Sequence, residues 1–356
     1  MQFTRYAKRQ ASGNDRNRQV MRSLRLPAFR PLQEGRVQRN AVVLFLLTML
    51  LYFIGSALRL GQELSLFRPL NGVMAGLFAR YAWLNRLNYY AVCYTAMLAC
   101  DAITTEWGRA SLVINLSNIL FIIIVARLAI RDRRRQKRNY EPFSALRLFN
   151  YCLLAALCCA LPGAFASPGR DGADFWPLFA DWFSEQFSTG VLIVPCMLTL
   201  ALPRAASVRR LQPGQLLPVL ALIVSVLGSV IIGGAGSLAF PLPALIWCAV
   251  RYPLQATCLL TFLTGALEMM LVASSVITIS VASPLLVSLR FSARLGIATM
   301  AICPVMVAVS VAAIGTLMKQ LSLRADFDFL TQVYSRSGLF EALKKQTCTH
   351  SQHVTV

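Results

Sequence analysis

The amino-acid sequence predicts an all-α polytopic membrane protein with about ten transmembrane helices and a short helical cytoplasmic C-terminal remnant. Of the 356 residues, 56% are hydrophobic and only 14% are charged, which leaves too little polar surface to cover a water-soluble globule. Apolar stretches of spanning length recur along the chain, and basic residues lie between them. A soluble enzyme is therefore a poor expectation for most of the chain.

The placement of the basic residues indicates a membrane partner. The chain has 35 Lys and Arg against 15 Asp and Glu, a formal net charge of +20. Such a surplus would ordinarily suggest nucleic acid, but the charges lie in the first forty residues, in the run 131–138 and between apolar stretches. This placement is typical of an inner-membrane protein that meets anionic lipid at its cytoplasmic face. We therefore expect the lipid bilayer as a partner, and no nucleic acid.

Three parts succeed one another along the chain. Residues 1–40 are polar and basic and predict a loosely ordered cytoplasmic segment. Residues 41–318 contain the apolar stretches and predict the polytopic membrane domain. Residues 319–356 begin with a mixed polar and apolar helical period, so we expect a soluble signalling helix and the opening of a further domain there.

The apolar stretches predict ten spans. The first has 18 residues, which at about 1.5 Å per residue nearly matches a hydrocarbon core of about 30 Å. The second contains Asn71 and Arg80, and the eighth is short and begins with prolines, so either could be re-entrant or buried among other helices. In chain order the predicted spans are 41–58, 69–83, 89–105, 112–130, 149–165, 178–202, 216–233, 240–250, 254–277 and 293–318.

The distribution of Lys and Arg orients these spans. With ten spans and a cytoplasmic N-terminus, the inside segments contain 29 basic residues and the outside segments contain 6. Removing one weak span would put a basic loop on the wrong side of the membrane. The sequence therefore predicts a multi-pass protein of the bacterial inner membrane with both termini in the cytoplasm.

Acidic residues inside apolar stretches are the strongest functional candidates. Asp101, Glu185 and Glu268 each cost about 2.5–3.5 kcal/mol on insertion unless they have partners or face a watery cavity. One interpretation is that they pair with Arg80, Arg59 or backbone groups and hold helices together. The other interpretation places them in the polar wall of a small-ligand or ion pocket, whose candidate residues are Asn71, Asp101, Glu185, Arg251 and Glu268.

No enzyme motif accompanies these residues in the sequence. It contains no phosphate-binding Gly-rich loop, no nucleophile elbow and no zinc-protease histidine pair. Nine of the ten cysteines lie in or beside apolar stretches and none forms a Cys-x-x-Cys pair, so they are predicted to be small packing residues. We expect no catalytic residue, metal ion or cofactor in this chain.

Three stretches resemble the membrane-associated sensor (MASE, first type) family of bacterial signalling proteins. They are Arg-Pro-Leu-Asn-Gly-Val-Met-Ala at 68–75, Asp-Trp-Phe-Ser-Glu-Gln-Phe-Ser at 181–188 and Phe-Pro-Leu-Pro-Ala-Leu-Ile-Trp-Cys-Ala-Val-Arg-Tyr at 240–252. The third is similar to the family's Phe-Pro-x-x-x-Trp-x-x-x-Arg-Phe signature and is the most specific. In the second, Ser184 and Glu185 stand where the family favours Gly and Asp. The resemblance implies that 41–318 senses an unknown small-molecule or protein signal.

A second resemblance begins after the membrane domain. Residues 328–340, Asp-Phe-Leu-Thr-Gln-Val-Tyr-Ser-Arg-Ser-Gly-Leu-Phe, are similar to the Asp-x-Leu-Thr-Gly-Leu-x-Asn-Arg-Arg-x-x-Phe opening of a diguanylate cyclase (GGDEF) domain. The matching residues are Asp328, Leu330, Thr331, Arg336 and Phe340. In that family a strand with a metal-binding Asp and the Gly-Gly-Asp/Glu-Glu-Phe hairpin come next, and neither is present here. We expect a truncated domain, from a frameshift or early stop, and expect Mg²⁺ and GTP only for a complete cyclase domain.

The leading hypothesis is the membrane-embedded input domain of a cyclic-di-GMP signalling protein, without its catalytic part. Because two GTP molecules meet across a cyclase dimer, the resemblance also implies a homodimer. One alternative is a membrane transporter that uses Asp101, Glu185 and Glu268 along a substrate path. Another is a non-functional truncated product, or one that only forms mixed dimers with full-length partners.

Overall fold

The computed structural model is all-helical in the residues it describes. These are 31–57, 68–104, 107–135, 144–166, 175–200, 214, 216–234, 236–274, 276–277, 289–326 and 339. Within these ranges there are ten α-helices, short 3₁₀ helices at Ala82–Leu84 and Ser237–Ala239, and no strand. The α-helices are α1 (Val37–Ala57), α2 (Pro69–Arg80), α3 (Leu87–Ile103), α4 (Arg109–Arg135), α5 (Ser144–Ala166), α6 (Phe175–Thr199), α7 (Leu217–Ile232), α8 (Leu242–Arg251), α9 (Leu254–Ala273) and α10 (Leu289–Asp326).

Every predicted span overlaps one of these helices, but fewer of them have the length and hydropathy of a membrane crossing. Among the described residues, five helices are long and apolar enough to cross a membrane: α1, α4, α5, α9 and, over Phe291–Lys319, α10. Helix α6 has 25 residues, but polar side chains occupy much of its middle, from Ser184 to Thr189. The all-α fold and a membrane location are therefore supported, while the expectation of ten complete crossings stays a prediction.

Helix α2 is too short to cross a bilayer as a helix. Its 12 residues span about 18 Å, against about 30 Å for the hydrocarbon core. Eleven of the 12 are buried, Asn71 and Arg80 among them. The second predicted span could have been re-entrant or buried among other helices. In the structure it is a helix buried among its neighbours.

Glycine allows α2 and α6 to approach closely. A Cβ on Gly72 would lie 2.7 Å from the Cβ of Ile193, and one on Gly76 would lie 2.3 Å from the Cβ of Met197. A similar contact joins α5 to α6, where a Cβ on Gly163 would lie 2.6 Å from the Trp182 ring. Small residues at these positions let the helix backbones approach closely. Membrane helices associate largely through dispersion contacts, and these need such close packing.

Helix α10 is the longest helix among the described residues. Its 38 residues span about 57 Å, well beyond the hydrocarbon core. The predicted last span, 293–318, lies inside it, and the helix continues past Lys319 to Asp326 without a break. The soluble element expected after Met318 is thus, at its start, a continuation of the membrane helix.

The cysteines behave as the sequence predicted wherever they are described. Nine are free thiols, and most of these are buried. Cys152, for example, is fully buried, and its Cβ would lie 3.2 Å from a Cβ on Gly190 of α6. They act as small apolar packing residues.

Candidate functional site

A run of polar residues on α6 is buried among other helices. Ser184, Glu185, Gln186, Ser188 and Thr189 have no exposed surface. Buried polar groups in an apolar bundle need hydrogen-bond partners, because their interactions with water are lost. Partners reach most of them from α2, α4 and α10, and from Arg68 just before α2. We call Arg68, Asn71, Asn118, Trp182, Glu185 and Gln186 the polar cluster.

An ion pair joins the start of α2 to α6. The Nε of Arg68 donates to Oε1 of Glu185 at 2.9 Å. The Glu185 side chain is fully buried, and the Arg68 side chain is 15% exposed. The guanidinium carbon also lies 4.7 Å from the ring centroid of Trp182, a cation–π contact. The second carboxylate oxygen, Oε2 of Glu185, is buried without a hydrogen-bond partner among the described residues.

Three amide side chains connect α2, α4 and α6. The Nδ2 of Asn71 donates to Oδ1 of Asn118 at 2.8 Å and to Oε1 of Gln186 at 2.9 Å. The Nε2 of Gln186 donates to the same Asn118 oxygen at 3.2 Å. All three side chains are buried, so these bonds fix how the three helices pack together.

A second ion pair connects α6 to α10. The Nη1 of Arg294 donates to the carboxylate of Asp181, to the backbone oxygen of the same residue at 3.2 Å and to Oγ of Ser184 at 3.3 Å. Arg294 has no exposed surface, and the Asp181 side chain is 14% exposed. The second turn of α10 is thereby attached to the helix that carries Glu185.

Asp101 is bound by neutral donors. The hydroxyl groups of Tyr52 and Ser111 and the Nδ2 of Asn115 all donate to its carboxylate, the last at 2.6 Å. These contacts connect α1, α3 and α4. Arg80, expected as a partner for an acidic residue, instead donates to the backbone oxygen of Met197 at 3.0 Å. Arg59, the other expected partner, lies outside the described residues.

The five predicted pocket residues do not form one site. Asn71 and Glu185 belong to the polar cluster, and Asp101 belongs to the neighbouring network. Glu268 is fully buried in α9, and both of its carboxylate oxygens lack a hydrogen-bond partner among the described residues. Arg251 is exposed at the end of α8 and makes none of these contacts.

A small cleft, with a cavity volume of about 20 Å³ and open to its surroundings, lies beside the polar cluster. Tyr52 and Ser56 of α1, Arg68 and Asn118 are among the residues that line it. Since Arg68 and Asn118 belong to the polar cluster and Tyr52 binds Asp101, the cleft contacts both networks. This is the candidate functional site.

Sequence reasoning missed the two arginines that complete these ion pairs. Arg68 is separated from Glu185 by 117 residues, and Arg294 from Asp181 by 113. A usable signal was present, because both arginines lie at the margin of an apolar stretch on the same predicted side as the carboxylates. An arginine at that depth needs a counter-charge.

The residues of the cyclase-like opening, Asp328, Leu330, Thr331, Arg336 and Phe340, lie outside the described residues. Within the described part, no group of three or more His, Cys, Asp or Glu side chains could hold a metal ion. The candidate site lies between α1, α2, α4 and α6.

The chain is similar to two curated proteins, and the one with the longer alignment shows the family. The chain is 68% identical over 331 residues to "Probable diguanylate cyclase DgcF" of Escherichia coli O157:H7, an alignment that covers 93% of this chain and 70% of that protein. This chain belongs to the diguanylate cyclase family. It is also 71% identical over 179 residues to the protein of the same name from strain K12, covering 50% of this chain and 56% of the relative.

Membership of the diguanylate cyclase family rests on these relatives. No protein-family model matches the chain, and no solved structure matches it. The chain spans 70% of one diguanylate cyclase relative and just over half of the other. The helices and polar networks described above therefore belong to a member of this family. Among its described residues, five helices are long and apolar enough to cross a membrane.

Proposed function

We propose that this chain is the membrane-embedded input domain of a cyclic-di-GMP signalling protein. In this proposal residues 41–318 are a sensor of the MASE type, and residues 328–340 open a GGDEF domain. The observation that carries it is the 68% identity to a probable diguanylate cyclase over 93% of the chain. An alignment of that extent includes most of the apolar helices, so it supports a membrane input region in that family.

The ion pairs provide a physical route from the candidate site to the cytoplasmic end. Arg68 lines the cleft and binds Glu185, and Asp181 lies one helical turn before Glu185 on α6. Asp181 in turn binds Arg294 on α10. A change at the cleft that moves α6 therefore also acts on the helix that leads towards residues 328–340.

The proposed location is the bacterial inner membrane, with both termini in the cytoplasm. The support is the split of 29 inside and 6 outside basic residues. In this orientation the cleft lies on the outer side, and Asp326 lies on the cytoplasmic side. The signal would enter from outside the cell, and α10 would carry its effect inwards.

We propose that this stretch of chain does not itself carry out the catalytic step. The sequence contains no Gly-Gly-Asp/Glu-Glu-Phe hairpin, and a complete cyclase domain would supply the groups that hold GTP and Mg²⁺. We propose that the chain acts as a homodimer through its membrane helices, since two GTP molecules must meet across a cyclase dimer. On its own, this stretch of chain would bind the signal and not form the product.

A chimera tests the proposal. The aligned part of the O157:H7 relative is replaced by the corresponding residues of this chain, and cellular cyclic-di-GMP is measured. One residue inserted between Met318 and Lys319 rotates the downstream part of the helix by about 100°, and seven residues, about two turns, nearly restore the register. We expect cyclic-di-GMP from the chimera, a changed level with one inserted residue and recovery with seven. Equal levels in all three would contradict a role for α10 in signalling.

One observation favours the second candidate, a membrane transporter. The fully buried carboxylate of Glu268 lacks hydrogen-bond partners among the described residues, a state found at ion and proton sites of membrane proteins. Proton flux into vesicles that contain the whole chain would test it. Flux that Glu268→Gln abolishes would support a transporter, and no flux in either chain would exclude proton transport.

A further inference from the structure

We propose that the cleft beside the polar cluster binds the carboxylate group of a small organic acid, and that Arg68 receives it. This inference rests on the proposed function, because it names the chemical class of the signal that the proposed input domain would sense. Among the described residues that line the cleft, Arg68 alone is charged. The remaining lining residues are apolar or neutral, so Arg68, although paired with Glu185, is the one charged group among the described residues that a ligand in the cleft would contact.

Arg68 has donor groups available for such a ligand. Its ion pair with Glu185 uses Nε alone, and neither terminal nitrogen, Nη1 or Nη2, has a hydrogen bond to a described residue. A guanidinium presents its N–H groups in a planar fork that matches the two oxygens of a carboxylate. The side chain is also 15% exposed, so the fork is not sealed inside the protein.

The surroundings hold the guanidinium in place and supply further contacts. Trp182 lies against its face at 4.7 Å, which restricts its orientation before a ligand arrives. Ser56 and Asn118 contribute polar side chains to the lining, and Leu51 and Leu70 contribute apolar ones. This combination suits a small acid with a short hydrocarbon part.

Binding would act directly on the ion pairs. A ligand carboxylate competes with Glu185 for the positive charge of Arg68, so the Arg68–Glu185 pair weakens. Glu185 lies one turn after Asp181 on α6, and Asp181 holds Arg294 of α10. Occupation of the cleft is therefore linked to the position of α10.

Tryptophan fluorescence of the purified full chain tests the site, because Trp182 contacts the guanidinium. Sodium acetate replaces sodium chloride at constant ionic strength, and acetamide serves as the uncharged isostere. The fluorescence change assigned to Trp182 is the part of the total change that disappears in Trp182→Phe. We expect a saturable change with acetate and none with acetamide. The half-saturating acetate concentration should rise at least about tenfold in Arg68→Gln, the loss expected for a charged hydrogen bond.

Two further variants protect the test from misfolding. Arg251→Gln removes an exposed arginine at the end of α8 and should bind acetate as the unaltered chain does. Ser56→Leu places a larger apolar side chain in the cleft and leaves both residues of the Arg68–Glu185 pair in the sequence, and it should block the response even if Arg68→Gln does not fold.

Three results would overturn the acetate site. They are no saturable change in the unaltered chain, an equal response to acetamide, and an unchanged response in both Ser56→Leu and Arg68→Gln. The chimera measures cyclic-di-GMP without added acetate, so a failure of either experiment leaves the other interpretable.

Discussion

Arg294 and Asp181 form a buried ion pair that joins the second turn of α10 to α6. Asp181 lies one helical turn before Glu185 of the Arg68–Glu185 pair, so two cations and two carboxylates lie close together at this end of the bundle. Neither carboxylate has an arginine near it in sequence. Their neutralisation depends on the packing of α6 against α10 and against the start of α2.

Breaking the Asp181–Arg294 pair should destabilise the protein strongly. Asp181→Asn removes the carboxylate that faces the fully buried Arg294 guanidinium, at an expected cost of about 3–5 kcal/mol. Asp132→Asn is the matched control, because the Asp132–Arg147 pair is partly exposed on both sides and should contribute about 0–1 kcal/mol. Thermal unfolding in detergent, followed by circular dichroism, measures both. Equal losses would mean that the α6–α10 pair is not buried in solution.

The Arg68–Glu185 pair should show non-additive losses. Arg68→Gln leaves the Glu185 carboxylate buried without its cation, whereas Arg68→Gln combined with Glu185→Gln removes both charges. The double variant should therefore unfold at a higher temperature than Arg68→Gln alone. Additive losses in this cycle would show that the two side chains do not interact.

The contact between α2 and α6 should not tolerate a methyl group. Gly76→Ala places a Cβ 2.3 Å from the Cβ of Met197, and overpacking of this kind costs about 1–3 kcal/mol. Gly315→Ala in α10 is the control, because nothing lies within 4 Å of its added Cβ. That change should be neutral or should stabilise the helix by up to about 1 kcal/mol. Chemical denaturation compares the two, and similar effects would contradict the close packing.

Reporter fusions should show the predicted orientation. A fusion after Lys319 should report a cytoplasmic location, and one within 167–174 should report an external location, because 29 of the 35 basic residues would then lie inside. Fluorescent and alkaline phosphatase reporters at both positions measure this. A periplasmic signal after Lys319 would exclude the predicted topology.

The purified 356-residue chain should form no cyclic-di-GMP from GTP and Mg²⁺. The sequence lacks the Gly-Gly-Asp/Glu-Glu-Phe hairpin, although 328–340 resemble the opening of a cyclase domain. In cells, overexpression of these 356 residues should lower cyclic-di-GMP or leave it unchanged, because under the proposed dimerisation they would pair with related cyclases and supply no Gly-Gly-Asp/Glu-Glu-Phe hairpin of their own. Chromatographic detection of product above a control without Mg²⁺ would show that this chain is catalytic.

Hydropathy was sufficient to locate the helices. The predicted spans 112–130 and 149–165 lie inside α4 and α5, because the cost of exposing apolar side chains is a local property of the sequence. It left α2 open, because 69–83 could be a span, a re-entrant segment or a helix buried among others, and the helix ends at Arg80. The extent to which α2 is buried depends on its neighbours, through contacts such as that between Gly76 and Met197.

The sequence by itself determined that the chain is helical and suited to a membrane, and that Glu185 and Asp101 would need partners there. Only the tertiary structure decided that Arg68 pairs with Glu185, while Asp101 is satisfied by neutral donors such as Asn115. The physical reason is distance along the chain. Residues more than a hundred positions apart meet only when their helices pack, and several donors at a similar membrane depth could have met the same need.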